Sequence, residues 1–262
     1  MQIFGGWWKQ DFLVFHFCPF SNLFWHLQLG HHSCYVYGFG NVFFYKNSYG
    51  WGALFLSFGF NAKLFPIIIL PIILLKVNFK QGIKILAIFL LASFILNIYF
   101  VINSFDVWKS TYLFHSLREP NIDSIWALTH LDIKTINFLA ISLFLLSYLV
   151  LIFAHKKYDF ISLSFMSLLL FLLFNKVFSP QYLLWLLPFF VLYKPLPKTA
   201  FYSLEATNLA VFFSTLYWVF ASKEQVFLSI SIIFVVARSV LLAYVLYLVL
   251  SRAHNQNYHI AN

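Results

Sequence analysis

From Trp51 onward the chain alternates long apolar runs with short polar links. A helix crosses the hydrocarbon core of a bilayer with ~20 apolar residues, and the runs at 51–75, 84–103, 136–154, 160–175, 181–193, 200–220 and 226–250 meet or approach that length. The first run contains Lys63 and Pro66 and is predicted to bend there, because proline removes a backbone donor and crowds the preceding turn. The fifth is short and bounded by Pro180 and Pro195, which predicts a half-span packed within the bundle. The pattern predicts an all-α fold, a polytopic transmembrane helix bundle of about six or seven spans, with residues 104–135 as one external amphipathic loop region.

Residues 1–48 depart from this regularity. They are apolar and aromatic but show neither a helical nor a strand period, and they carry His16, His26, His31, His32, Cys18 and Cys34. Those side chains are of metal-ligating type, yet their spacing does not reproduce a structural zinc pattern. The segment reads as non-native, an out-of-frame or mis-started N-terminus, with an ordinary amphipathic lead-in as the alternative. The expected organisation is an irregular segment at 1–48, a transmembrane domain at 49–252 and a cytoplasmic tail at 253–262.

Composition sharpens the class. The chain is 62% hydrophobic, 22% aromatic and 10% charged, with a mean hydropathy of +0.83, against about 25% charged in a typical globular domain. So much apolar surface cannot be hidden in one water-soluble core, which excludes a soluble enzyme and a disordered chain. The expectation is a multi-pass integral protein of a prokaryotic plasma membrane, in contact with membrane lipids. The net charge of +9 implies no nucleic-acid partner, because the basic residues lie mostly in the links, where they set orientation. Lys76, Lys80, Lys84, Lys156, Lys157, Lys194, Lys198 and Arg252 fall on alternate links. The opposite links carry fewer cations (Lys109, Arg118, Lys134, Lys176 and Lys223) and five acids: Asp106, Glu119, Asp123, Asp132 and Glu224. The positive-inside rule therefore places the C-terminus in the cytoplasm and 104–135 outside. Two Cys make no disulfide framework.

Two polar constellations fall on the expected external face. In "TYLFHSLREPN", His115, Arg118 and Glu119 occupy neighbouring positions of a possible amphipathic turn ended by Pro120, and Asn121 or Asp123 is placed to cap a second short helix. Arg118 suits a phosphate, since the guanidinium fork donates two parallel hydrogen bonds, with His115 or Glu119 orienting a substrate. The bland alternative is a loop lying on the membrane with Trp108, Tyr112 and Trp126 at the headgroups. The second constellation, "NKVFSPQYLLWLLPFF", brings Lys176, Ser179, Gln181 and Tyr182 to the same face; its bland reading is an interfacial turn with a snorkelling lysine. Lys63, Glu205 and Arg238 lie inside apolar runs and must find partners in the bundle. The helical rise allows Glu205 and Arg238 to form an ion pair, with Asn208 nearby.

Three stretches carry a resemblance. "WGALFLSFGFNAKLFPIIILPIILLK" (51–76), "FHSLREPNIDSIWAL" (114–128) and "NKVFSPQYLLWLLPF" (175–189) together resemble the polytopic GT-C glycosyltransferases. The nearest resemblance is to glycosyltransferase family 87, the polyprenol-phosphate-mannose-dependent mannosyltransferases, with kinship to GPI mannosyltransferase I of the PIG-M type. The resemblance implies an inverting hexosyltransferase that moves a sugar, mannose by preference, from a polyprenyl-phosphate-sugar donor to a lipid-linked or surface glycan acceptor. It calls for no cofactor and no metal. It also implies His115, Arg118, Glu119, Lys176, Gln181 and Tyr182 as substrate-binding residues. Enzymes of this group are expected to carry a catalytic Asp in a first external loop; the only acid in residues 1–50 is Asp11, in no matching context, so no catalytic base is assigned and the N-terminal part reads as missing. The alternatives are a lipid carrier or flippase component, and a non-catalytic membrane assembly subunit.

Overall fold

A computed structural model describes residues 40–193, 196–220 and 225–260, with side chains at all of these except 115, 225, 227 and 253–260. The histidine and cysteine cluster of the N-terminal segment lies outside the described residues, as do Lys194, Lys223 and Glu224. The described residues form helices and 3-10 turns joined by short links, and no strand. The helices are α1 (Tyr49–Ala62), α2 (Leu70–Lys76), α3 (Phe79–Asn103), α4 (Phe105–Leu117), α5 (Ile133–Phe153), α6 (Phe160–Phe174), α7 (Leu187–Leu192), α8 (Lys198–Phe220) and α9 (Gln225–Ile260). Three stretches are long and apolar enough to cross a membrane: Phe79–Asn103, Ile133–Phe153 and Leu228–Arg252. The final helix runs on to Ile260, through the point at 253 where the tail is expected to begin.

Local chemistry sets the boundaries. Asn78, Asp132 and Asp159 each accept backbone N–H groups at the start of α3, α5 and α6, satisfying donors that have no partner within the helix. The first apolar run bends as predicted: α1 stops at Ala62, Lys63 is extended, and Pro66 opens a 3-10 turn over Phe65–Ile69 that leads into α2. The fifth run is likewise a short limb, a 3-10 stretch at Pro180–Leu186 followed by α7.

Side-chain pairs fix the directions of the limbs. Gly50 lies against Ile88, Ser57 Oγ meets Ser93 Oγ at 2.9 Å, and Asn97 donates to Asn61. Both residue numbers rise together, so α1 and α3 run parallel and the chain between them must return. Phe65–Lys76 is that return limb: Phe65 stacks near Phe171, while Lys76 Nζ donates to the Tyr158 carbonyl at 2.6 Å. The limb is only ~20 Å long at 3-10 and α-helical rises. The central helix α6 is buried on almost every side and spans ~22 Å. It turns back through Pro180–Leu192, with Phe165 and Phe189 stacked at 5.1 Å. A hydrocarbon core is ~30 Å thick. Two short hairpins therefore stand among longer helices, and their tips, at 63–65 and 175–180, stop well below the far ends of α3 and α5.

The links divide between two ends in the alternation expected from the lysines. At one end the links after α2 and α5 meet through Lys76 and Tyr158, and Tyr193 hydroxyl donates to the Val249 carbonyl. At the other, 116–137 meets 174–180. Inside a bilayer apolar burial scarcely discriminates between neighbours, and polar contacts across helices, ~0.6 kcal/mol each on average, help select the arrangement. Ser57, Asn61, Ser93 and Asn97 form such a ladder between α1 and α3, and the Trp108 indole extends it to α4 by donating to Asn97 Oδ1 at 2.9 Å.

Candidate functional site

The segment 118–132 fills the depression above the two hairpin tips. Pro120 disfavours a helical residue before it, so α4 ends at Leu117 and Arg118 is extended (φ −65°, ψ 131°). This corrects one expectation: His115, Arg118 and Glu119 do not share a helical turn, because only His115 is helical. The side chain of His115 lies outside the described ones. The expected cap at Asn121 or Asp123 is also corrected. Ser124 caps the 3-10 turn Ile125–Leu128, its hydroxyl accepting from the Trp126 N–H.

Asn121 instead clasps the neighbouring segment. Its side chain accepts from Phe178 N–H at 2.7 Å and donates to Phe178 C=O at 3.1 Å, completing both backbone groups of one residue. Ser124 Oγ donates to the Asn175 carbonyl and the Trp126 indole to the Phe174 carbonyl at 3.0 Å. Trp126 is thus buried in the protein and not at the headgroups. The two polar constellations of the sequence are stitched into one structure.

Arg238 closes this structure from below. It is fully buried. One guanidinium nitrogen donates to Asn208 Oδ1 at 2.9 Å and another to the Asp123 carbonyl, while the guanidinium lies 3.9 Å from the centre of the Phe178 ring. Asn208 in turn donates to the Pro180 carbonyl at 2.9 Å. The expected Arg238–Glu205 ion pair is therefore not formed; the 118–132 segment reaches Arg238 instead. The Asp123 carboxylate accepts from Thr215 Oγ1 at 2.8 Å and from Asn121. Burial pushes this carboxyl above its usual range, against the opposing pulls of Thr215, Arg238 and Asn121.

The cations gather on the other side of the Phe178 ring. Lys176 Nζ donates to the Ser116 carbonyl at 3.0 Å and to Asn137 Oδ1 at 2.6 Å, so it is held by the end of α4 and the start of α5 and does not snorkel. Burial lowers its pKa, and the like charge of Arg118 lowers it further. Arg118 is exposed, lies 5.9 Å from the Phe114 ring centroid, and is close enough to act electrostatically on Tyr182 as well. Lys63 completes the set from the first hairpin tip, its ammonium 5.1 Å from the Trp185 ring centre and 5.6 Å from that of Tyr182. Tyr182 and Trp185 stack at 4.2 Å, and Trp185 stacks on Phe65 at 3.8 Å.

Of the six candidate residues, Arg118, Lys176 and Tyr182 come together. Gln181 is half-buried beside them, and Glu119 is exposed, each without a hydrogen bond or ion pair among the described residues. Sequence reasoning missed Asn121 and Asn137 as the side chains that hold the site. Asn137 stands alone in the first turn of a long apolar run, which was a legible signal.

No family model, no curated protein and no solved structure matches this chain. The functional reading accordingly rests on the geometry of the site and on the resemblance of the three stretches.

Chemically, three cations facing an aromatic shelf at one end of an apolar bundle suit an anionic group presented at a membrane interface. Guanidinium and ammonium groups hold phosphate oxygens by charge-assisted hydrogen bonds, and an apolar surround strengthens the attraction.

Proposed function

We propose that this chain belongs to an integral membrane glycosyltransferase that moves a hexose, mannose by preference, from a polyprenyl-phosphate-sugar donor to a lipid-linked or surface glycan acceptor. The observation that carries this reading is convergence. The three stretches that resemble family 87 are far apart in sequence, yet each contributes a cation to one site: Lys63, Arg118 and Lys176. Arg118 and Lys176 clamp the donor phosphate, with Lys63 beneath it, and Gln181, Tyr182, His115 and Glu119 line the sugar and acceptor side. The multi-pass arrangement of six or so spans, in a prokaryotic plasma membrane, counts the two short hairpins as membrane-embedded limbs.

A non-catalytic lipid-binding subunit is the second reading. It is favoured by the position of Asp123, whose carboxylate turns to Thr215 on α8 and not toward the cations. Sugar transfer from a radiolabelled polyprenyl-phosphate-hexose, measured in membranes carrying the protein, tests both. Losing one charge-assisted contact removes about 1.5–3 kcal/mol, so Arg118→Ala should slow transfer roughly tenfold or more while Trp108→Ala has a much smaller effect. Equal rates for parent and Arg118→Ala would remove the clamp. Saturable donor binding without transfer would favour the subunit.

A further inference from the structure

We propose that the site opens sideways into the outer half of the bilayer, through a gap between α3 and α5, and that a single lipid chain carrying a phosphate enters there. The inference rests on the lipid-phosphate reading above and deepens it by naming the route and the form of the ligand.

The gap follows from the length of α4. Ser104 both ends α3 and begins α4, and at the other end of α4 the Ser116 carbonyl accepts from Asn137 of α5 at 2.9 Å. Twelve residues of helix separate Ser104 from Ser116, or ~18 Å. Helices in contact lie 8–10 Å apart. At this end α3 and α5 are thus held apart by about one extra helix diameter, and each packs chiefly on another partner, α3 on α1 and α5 on α6. α4 is the lintel across the top.

Lower down the gap is closed. Tyr148 of α5 donates to the Ile68 carbonyl, and Leu74 of the same limb packs at Gly82 of α3. Phe65–Lys76 therefore fills the space between the two long helices and forms the sill, on which Leu64 and Ile67 remain exposed. Apolar residues flank the opening: Phe100 is 54% exposed on α3 and Ile141 58% exposed on α5. They follow Asn97 and Asn137 by about one turn on the same faces. Behind the sill stand Lys63, Tyr182 and Trp185.

Charge and depth select the occupant. Lys63 lies ~20 Å above Lys76 along the return limb, inside the ~30 Å hydrocarbon thickness, so a phosphate meeting it is drawn below the ordinary headgroup plane. An opening about one helix wide suits one apolar chain such as an isoprenyl tail. A two-chain phospholipid fits it poorly, and a free phosphate has no tail to fill it.

The test uses the full chain in phosphatidylcholine nanodiscs and a long-chain isoprenyl monophosphate bearing a photoreactive group near the phosphate. Labelling is expected to map to α3, α4 and α5 around Phe100 and Ile141. Excess unlabelled isoprenyl phosphate should suppress it at least tenfold, and neither inorganic phosphate nor phosphatidylglycerol should do so. In the double variant Phe100→Cys, Ile141→Cys, with Cys18 and Cys34 replaced by Ser, a long bismaleimide added after reconstitution should abolish the labelling. This closes the opening without challenging folding. Saturable binding whose label maps to the α8–α9 face, or survives the cross-link, would overturn the sideways opening while leaving the lipid-phosphate reading intact. Competition by inorganic phosphate as effective as by isoprenyl phosphate would show a tail-independent site and likewise overturn it. Absence of saturable isoprenyl phosphate binding would overturn both.

Discussion

Asp123 and Asn121 show how individual side chains hold a polar segment inside an apolar protein. The Asp123 carboxyl keeps its proton more tightly in the fold than its usual value of 3.8 allows, chiefly through burial. The sign follows from linkage: a raised acid binds its proton better folded than unfolded, so ionisation costs stability as pH rises through that range, and the cost is relieved as pH falls. Asp123→Asn retains an acceptor for Thr215 and carries no charge. It is expected to melt at or above the parent temperature near pH 7, with the margin closing toward about pH 4, as followed by thermal unfolding in detergent. Asn121→Ala should act in the opposite direction. It strands the N–H and C=O of Phe178, each in a half-buried setting, for an expected loss of about 1–3 kcal/mol in the same measurement.

At the scale of elements, the apolar runs made the helices legible, and prolines made their breaks legible. Lys63–Pro66 and Ser179–Pro180 turn the chain where the pattern predicts. Asp132 and Asp159 could have been read as caps, each preceding a helical run and followed three residues on by a hydroxyl-bearing residue. The partner of Arg238 was not legible. Helical rise pointed to Glu205, one helix away, whereas the actual partner is the Asp123 carbonyl, 115 residues distant. Local periodicity carries no information on which loop descends into a bundle. The α1–α3 pair, in contrast, left a signal: Ser57 with Asn61, and Ser93 with Asn97, repeat a polar side chain at one-turn spacing inside apolar helices. Close packing at the start of α1 is sensitive to a single methyl. A Cβ on Gly52 would lie 2.9 Å from three atoms of the buried Phe44 ring, so Gly52→Ala is expected to cost about 1–3 kcal/mol by overpacking, despite the better helix propensity of alanine. A Gly52→Ala protein that melts with the parent would show that the 40–45 segment yields freely.

For the whole molecule, the lysine alternation and the two clusters of links describe the same division. Lys80 and Lys109 are both exposed and belong to opposite ends. With Cys18 and Cys34 replaced, a cysteine at 109 should react with an impermeant maleimide on intact cells, and one at 80 only after the cells are opened. The reverse pattern would invert the orientation and place the cationic site in the cytoplasm. The site itself was half legible. Its cations could be named from the sequence because charges in apolar surroundings are conspicuous; their meeting at one point depends on two limbs too short to cross, which hydropathy alone records only as length.

The short central hairpin also has an electrical consequence. Under the orientation expected from the lysines, an anion that reaches Lys63 from outside passes through about a third of a ~30 Å hydrocarbon layer. Moving one elementary charge across the full membrane potential is worth about 2.3 kcal/mol per 100 mV, so a third of that path is worth ~0.8 kcal/mol, or about fourfold in affinity. An interior-negative voltage opposes an anion moving inward. De-energised membranes should therefore hold an anionic headgroup at Lys63 more tightly than energised ones, making occupancy of the site a reporter of the cell's voltage.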